Sequence, residues 1–476
     1  MAMLGNIAVL VCRKNDIINN MAISLGLILL QNPFAINNTG LILSYSATLG
    51  IIGFVPILKA KIEKKQEETE KQKWITKLKE ISIVSASAWV AILPISMVFF
   101  QTISFTFLLS NMMVSFLMGM IVMLGFLVSI PISIPFVANI LGIVLSILIG
   151  MSEFFSKLPL SQVLVCSPPI LVVVLYYCSL LTWVSIQNIS QKTDKRRIHK
   201  QFLKGIEHRK KWLWRNKKKV VAVLTIIMIS CFVFKTLPQD LSIHFIDVGQ
   251  GDCTLVTTPN HRTILMDGGG SVNLEKYDVG KRVLLPYLLN HGIKKIDLMV
   301  VSHFDADHCN GLMAILEKLQ VNKLIIGKQK EESEEYKTIL EQAKKKKVSI
   351  QTVEKGNQIE IEKNLWLDVL YPEEPLKLQG LNNNSLVLKL NYGNFNMLFT
   401  GDIEKEAEQK LLTAYLGTDT LKATALKIAH HGSKTSTTKE FLKAVNPKIS
   451  LIGVGKNNLF GHPNGEVLER LKQIRK

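Results

Sequence analysis

Six cysteines in 476 residues, Cys12, Cys166, Cys178, Cys231, Cys253 and Cys309, include no CxxC pair and no zinc-ribbon spacing. No disulfide framework is indicated, and four of the six lie in or beside apolar runs. No GxxxxGK[ST] phosphate loop occurs, so the chain lacks that kind of nucleotide-phosphate cradle. The start, MAMLGNIAVLVCRKND, carries its charges after a short apolar run instead of before it, which does not resemble a cleaved signal peptide. Acidic residues are scarce in one half only. Up to residue 236 there are 25 Lys and Arg against 9 Asp and Glu, and from 237 onward 32 against 29. The net charge of +19 is therefore mostly a property of the first half.

What that half does contain is long apolar runs, at 17–31, 39–58, 81–100, 106–130, 134–152, 163–186 and 220–234. A bilayer core takes about 20 apolar residues in a helix, so the runs at 81–100, 106–130 and 163–186 are the strongest spans; 17–31, 134–152 and 220–234 are weaker. Eight Lys and Arg fall in 59–80 and thirteen in 187–219. Short loops this basic belong on the cytoplasmic side. Four spans separate the two loops, an even number that lets both be cytoplasmic, and a span at 220–234 then carries everything after Pro238 to the outer face. Trp212 and Trp214 fit an interfacial belt as well as base stacking, and the basic run at 187–219 reads first as a topological anchor. In 59–80 the interspersed Glu and Lys suggest an exposed helical loop with i,i+4 pairs. The expected organisation is a polytopic helical domain of about seven helices over 1–236 and a second domain over 237–476.

From Leu241 the texture changes to short β-rich runs such as LSIHFIDV, RTILMDGG, IDLMVVSH and FNMLFTGD, with helical patterns between them such as NGLMAILEKLQ and YKTILEQAKKKK. The pattern predicts one compact α/β domain of two sheets with helices outside. Acidic and imidazole residues gather at strand ends: Asp247, Asp267, Asp402, the pair His430-His431, and His462 in a glycine-flanked loop. The densest group is Ser302-His303-Phe304-Asp305-Ala306-Asp307-His308, directly after an apolar strand. Four ligand-type residues within six positions at a strand end are hard to obtain from packing alone, and they read as a two-metal hydrolase site.

A pair of divalent ions needs about six to eight ligand atoms, a carboxylate able to bridge, and a position open to water. The expected arrangement puts His303, Asp305 and one of His430 or His431 on the first ion. Asp307, His308 and His462 take the second, and Asp402 lies between them. Asp307, His308 and Asp402 are expected to carry the catalysis. An oxygen ligand at Asp305 makes manganese or magnesium as plausible as zinc. Asp247 and Asp267 are expected to accept backbone N–H bonds in turns, Gly249, Gly251 and Gly268 to Gly270 to allow close backbone approach, and Cys309 to be a small buried apolar residue.

The ordered set HFIDVGQGD at 244–252, ILMDGGG at 264–270, VVSHFDADHCNGL at 300–312, NNNSLVLKLNYGNFNMLFTGDIEKEAE at 382–408, LKIAHHGSKTST at 426–437 and FGHPNGEVLERL at 460–471 resembles the metallo-β-lactamase superfamily. More narrowly it resembles the C-terminal domain of ComEC-type DNA-uptake proteins, where the HxDxDH form replaces the commoner histidine at Asp305. The stretch 20–56 is similar to the competence transmembrane region of the same family. The resemblance implies a multi-span α-helical membrane domain followed by an αββα sandwich. It also implies import of single-stranded DNA, with an outer-face domain that degrades the strand left outside. Implied partners are single- and double-stranded DNA, a membrane-anchored DNA receptor, a cytoplasmic helicase-like ATPase and single-strand-binding proteins; a homodimer stays open. Members of the family begin with a further extracellular domain and additional spans, so a truncated or split form is expected. Two other readings keep part of this: a channel with a non-catalytic gate or DNA guide, and a membrane-anchored phosphodiesterase acting on choline-phosphate or lipid headgroups.

Overall fold

The structure, a computed structural model, describes residues 10, 16–63, 70–130, 135–192, 237–271, 277–329, 333–376 and 378–474. It divides into two compact units, Met1–Asn216 and Lys217–Lys476. The apolar run at 220–234, the basic stretch around Trp212 and Trp214, and the greater part of 187–219 lie outside the described residues.

The first unit is helical: α1 (Ile17–Gln31), α2 (Thr39–Glu63), α3 (Glu70–Phe99), α4 (Phe107–Ser129), α5 (Pro135–Lys157) and α6 (Ile170–Lys192). Two short strands, β1 (Thr102–Ile103) and β2 (Val163–Leu164), pair antiparallel. Four stretches are long and apolar enough to cross a membrane: Thr39–Ala60, Leu78–Phe99, Phe107–Ser129 and Pro135–Lys157. The run at 134–152 is thus a full-length span. The run at 163–186, by contrast, begins as strand β2, and helix α6 starts only after Pro168 and Pro169, leaving a shorter apolar helix, Ile170–Ser185. Two consecutive prolines, which lack backbone N–H donors and push the residue before each of them out of the helical region, set that boundary.

Helices α2 and α3 meet at Gly50, where a Cβ would lie 2.4 Å from Cβ of Ala91 and 2.6 Å from the Ser87 carbonyl. A small residue at the crossing is how helices approach closely where water offers no hydrophobic drive. Tyr176 and Tyr177 of α6 donate their hydroxyls to the Val90 and Ala91 carbonyls of α3. Among the described residues, Lys59 of α2 pairs with Glu80 of α3 at 2.9 Å, and the side chains of 61–75, on which the expected i,i+4 pairs fall, lie outside them. Phe116, Phe126 and Phe136 stand more than two-thirds exposed on α4 and α5, an outer surface suited to lipid.

The second unit is a four-layer sandwich. Its first sheet has the order of β3 (Ser242–Phe245), β4 (Thr254–Thr257), β5 (Thr263–Met266), β6 (Lys295–Val301), β7 (Gln320–Gly327) and β8 (Ser349–Val353). The second runs β14 (Ile449–Leu451), β13 (Ala425–Lys427), β12 (Phe395–Phe399), β11 (Val387–Tyr392), β10 (Leu365–Tyr371), β9 (Gln358–Glu362). Alternation along the strands makes two faces. Val256, Ile264, Leu298, Val300 and Ile325 of the first sheet pack on Leu367, Val369, Leu388, Leu390 and Met397 of the second. Full burial of each such side chain is worth about 1.5–3 kcal/mol.

The other faces carry helices: α7 (Leu285–Asn290), α8 (Ala306–Cys309), α9 (Leu312–Lys318) and α10 (Glu334–Lys345) belong to the first half. The helices α11 (Lys405–Ala414), α12 (Lys439–Val445) and α13 (Gly465–Ile474) pack through Ala407, Leu411, Phe441, Leu442 and Val467 on Leu398 and Leu426. This is the αββα sandwich the sequence pattern predicts. Strands β5 and β6 are parallel neighbours, as are β12 and β13, so their carboxyl ends fall on one edge of each sheet.

Candidate metal centre

Four turns leave those strand ends. Asp267 follows β5, Ser302 and His303 follow β6, Asp402 follows β12, and His430 and His431 follow β13. Two glycines bring the turns together. A Cβ on Gly251 would lie 2.0 Å from the Asp307 carbonyl, and one on Gly270 2.0 Å from that of Ala306, so only glycine lets these loops press against α8.

His308 and His431 face one another through their Nε2 atoms at 3.3 Å. Oδ2 of Asp402 lies 3.2 Å from each of those nitrogens, and Oδ2 of Asp307 lies 3.3 Å from that of His431. All of His308, Asp402 and His431 are buried, and with Asp252 they place four ligand atoms within 4.8 Å of one another. The opposite nitrogens of both rings are engaged. Nδ1 of His308 is 3.0 Å from Asp267, and Nδ1 of His431 is 2.7 Å from the Gly453 carbonyl. An imidazole that donates from Nδ1 keeps a lone pair on Nε2. Two such lone pairs and a carboxylate oxygen therefore converge on one point.

A tetrahedral ion with bonds of about 2.0–2.1 Å spaces its ligand atoms about 3.3 Å apart. The donor set thus fits a divalent cation in both chemistry and spacing. Without one, protons take its place. Burial opposes charge on His431, yet Asp402 and Asp252 outweigh it and push its pKa up to about 10. His308 is likewise raised well above the usual imidazole range, burial being overcome by Asp402 and Asp267. Burial alone would raise Asp402, but His308, His431 and Lys427 hold it well below the ordinary carboxylate range. Asp307 is pushed down to about 2, its burial outweighed by the hydrogen bond with His431 and the charge of His308.

The remaining predicted residues sit around this cluster. His303 is fully buried, its ring centroid 4.2 Å from that of His308, with Nδ1 3.0 Å from Oγ of Ser302. Its Nε2 has no hydrogen-bond partner and lies 3.5 Å from Oδ2 of Asp305. A buried, unpartnered ring nitrogen beside a carboxylate is a second place able to take a cation. Of the histidine pair, His431 points into the cluster, whereas His430 lies 3.3 Å from Glu404 and 5.8 Å, ring to ring, from His462. His462 lines the same cleft, of about 510 Å³, with Asp305, Asp307, Asp402, His430 and His431. Burial, together with the neighbouring His430 and His431, lowers its pKa.

Two residues of the cluster carried no such role in the sequence reading. Asp252 stood within a glycine turn, and Lys427 within the apolar strand β13. The Lys427 ammonium is buried and contacts Asp252; it also lies 3.3 Å from Oδ1 of Asp402 and donates to the Gly401 carbonyl at 2.8 Å. Burial disfavours its charge, but Asp252 and Asp402 raise its pKa above that of a free lysine. The available signal was a charged residue inside an otherwise apolar strand. Asp267 does accept the Ser302 backbone N–H, as a turn residue would, and it orients His308 as well. Asp247 accepts the Gly249 N–H in its turn. Cys309 is buried, and burial pushes its thiol up, which leaves it an unreactive core residue.

Two sheets with helices outside and a His/Asp cluster on their carboxyl rim define a metallo-beta-lactamase superfamily domain, whose family model matches residues 246–456. A competence-protein model matches residues 1–188. With both parts in one polypeptide, the chain matches the ComEC family of competence proteins, and four of its helical stretches are long and apolar enough to cross a membrane.

ComE operon protein 3 of Bacillus subtilis is 34% identical over 257 residues, which is 52% of this chain and 32% of that protein. Recombination protein 2 of Haemophilus influenzae is 30% identical over 253 residues, 52% of this chain and 29% of that protein. The chain thus spans under a third of the length of these curated relatives. Among solved structures, the metallo-beta-lactamase SMB-1 bound to 2-mercaptoethanesulfonate is 13% identical, covers 41% of this chain and 82% of its own, and gives a TM-score of 0.28.

Proposed function

We propose that this chain is a membrane component of DNA uptake in natural transformation, which passes single-stranded DNA inward. In this reading residues 237–476 form an outer-face hydrolase that cuts phosphodiester bonds of the strand left outside. The observation that carries the hydrolase is the convergence of His308, His431 and Asp402 at 3.2–3.3 Å with lone pairs facing inward. The competence region on the same polypeptide supports DNA as the substrate. The outer location is inferred from the basic stretches 59–80 and 187–219, and it requires the shorter apolar helix α6 to cross as the fourth span between them.

His308, His431, Asp402 and Asp307 would hold one divalent ion, and His303 with Asp305 would help hold a second, zinc or manganese in preference to magnesium. Bound there, the metal supplies Lewis-acid polarisation of a phosphodiester oxygen and a more acidic water. The chain's own residues do the positioning. Asp267 and the Gly453 carbonyl fix both rings with Nε2 aimed inward. Lys427 pins Oδ1 of Asp402, which leaves Oδ2 turned toward the rings. Asp307, open on the cleft and ionised through the whole physiological range, is placed to orient an incoming water.

The test uses the full chain in lipid nanodiscs with Mn²⁺ or Zn²⁺, labelled single- and double-stranded oligonucleotides, and the variant Asp307→Ala. Wild type cuts DNA and the variant does not. Hydrolysis of small phosphodiesters with DNA untouched favours a membrane-anchored phosphodiesterase instead, and intact substrates with every ion assign the domain a non-catalytic role.

A further inference from the structure

The loop before His462 spends hydrophobic surface in an unusual way. Leu459 is 99% exposed and Phe460 68% exposed, although the surrounding domain buries nearly all of its large apolar side chains. This is not a slack segment. The Asn458 side chain ties it from inside: Nδ2 donates to the carbonyls of Gly455 at 2.9 Å and His462 at 2.7 Å. Its Oδ1 accepts from the backbone N–H of Phe460 at 3.1 Å and of His462 at 3.0 Å. Gly461, at φ +69°, makes the reversal. A rigid turn that holds an apolar tip in water has no packing rationale within this unit.

Phe460 faces the cleft that Asp307, Asp402 and His431 also line. Its ring lies nearly parallel to that of His462, at 18° and 5.9 Å between centroids. His462 in turn is 5.8 Å from His430, and His430 6.3 Å from His431. A series of rings thus leads from the lip of the cleft to the metal cluster. Lys456 is exposed in the same loop, a cation available to a phosphate.

We propose that Phe460 is a specificity-determining residue: a stacking platform for a nucleobase of the strand whose backbone enters the cluster. The inference rests on the DNA-hydrolase reading and adds the recognition of bases to it. Stacking suits this role because every base has a π-face, so the platform holds single-stranded DNA without selecting sequence. It also explains the exposure, since only an unpaired base offers its face to a protruding ring.

The experiment measures binding of fluorescein-labelled dT12, and of a dodecamer of abasic tetrahydrofuran sites, to the full chain in nanodiscs with EDTA present. The protein variants are Phe460→Ala and Phe460→Trp. Wild type binds dT12 more tightly than the abasic strand. Phe460→Ala weakens dT12 on the order of 10-fold and leaves the abasic strand unchanged, while Phe460→Trp keeps the preference. A 2-aminopurine placed in the strand is quenched by wild type and by Phe460→Trp, and not by Phe460→Ala. Equal binding of the two strands by wild type, binding of neither, or an unaltered dT12 affinity in Phe460→Ala overturns the platform. Failure of the hydrolase reading is distinct: DNA survives in Mn²⁺ and Zn²⁺ while the base-dependent binding persists.

Discussion

Nε2 of His308 and Nε2 of His431 stand 3.3 Å apart, each with the far side of its ring already committed, one to Asp267 and the other to the Gly453 carbonyl. Neither ring can turn away without abandoning a buried hydrogen bond. The pair is therefore set for a cation before one arrives, and the residues behind it matter as much as the rings themselves.

Asp267 is the nearest of those residues. Asp267→Asn presents an amide to Nδ1 of His308 and removes the carboxylate charge, and the Ser302 backbone N–H and hydroxyl lose half of a strong acceptor. The expected result is a loss of about 10–100-fold in Zn²⁺ or Mn²⁺ affinity with the fold retained, read by competition with a chelating dye.

Metal binding should also release protons. With no ion present, the pKa of His431, about 10, keeps that ring charged at neutral pH, and Asp402 and Asp267 shift His308 in the same direction. Ligation requires both Nε2 atoms bare, so at least the His431 proton leaves as the ion enters. Titration calorimetry in buffers of different ionisation enthalpy reports the number released. The sign for stability follows from linkage. The folded pKa of His431, about 10, lies above the unfolded imidazole's, so its contribution in the metal-free protein is complete below about pH 6.5 and is lost as pH rises toward 10. Denaturant midpoints in EDTA should fall across that window, and saturating metal should remove the dependence.

Lys427 supplies the positive charge that the metal-free cluster needs next to Asp252 and Asp402. Lys427→Met keeps most of the length of the side chain but removes the ammonium shared by the two buried carboxylates, leaving only His308 and His431 to balance them. Breaking a buried pair from one side costs about 3–5 kcal/mol. The variant should unfold well below wild type in EDTA, and a bound divalent ion should recover a large part of the difference, visible as a greater metal-induced rise in Tm than wild type shows.

The layers of this unit were legible because nearly unbroken apolar runs along strands such as β6 and β12 require both faces of a sheet to be buried. The rim was legible because His303, Asp305, Asp307 and His308 crowd one strand end. Which of them share a point in space was not legible, since convergence depends on pairings such as His308 with His431, 123 residues apart. His430 and His431 illustrate the limit. Both have left-handed backbone, at φ +49° and +51°, and that strained turn sends one ring inward and the other toward Glu404. No local pattern decides between them. Asp252 and Lys427 were hidden for a related reason: a buried ion pair between sheets looks, in sequence, like a turn residue and a stray charge in a strand. The helix α6 boundary at 170, in contrast, was available in the two prolines before it.

The strained histidine turn needs an anchor, and Glu408 of α11 is placed to be it. Its carboxylate is fully buried and accepts from the backbone N–H groups of Thr437 and Thr438 and from the Thr438 hydroxyl, while Arg470 holds the Ser436 and Thr437 carbonyls. Burial raises the Glu408 pKa, and the threonine hydrogen bonds pull in the opposite direction. Ser436 of the same segment donates to the Ala429 carbonyl, directly before the histidines. Removing the carboxylate leaves buried donors without an acceptor, at about 1–3 kcal/mol each. Glu408→Ala should therefore speed hydrogen exchange across 429–438 and lower metal affinity even though Glu408 touches no ligand, whereas Glu408→Gln, which keeps one acceptor in place, should fall between the two. Unchanged exchange in that segment in the alanine variant would show that the turn holds its strain without help from α11.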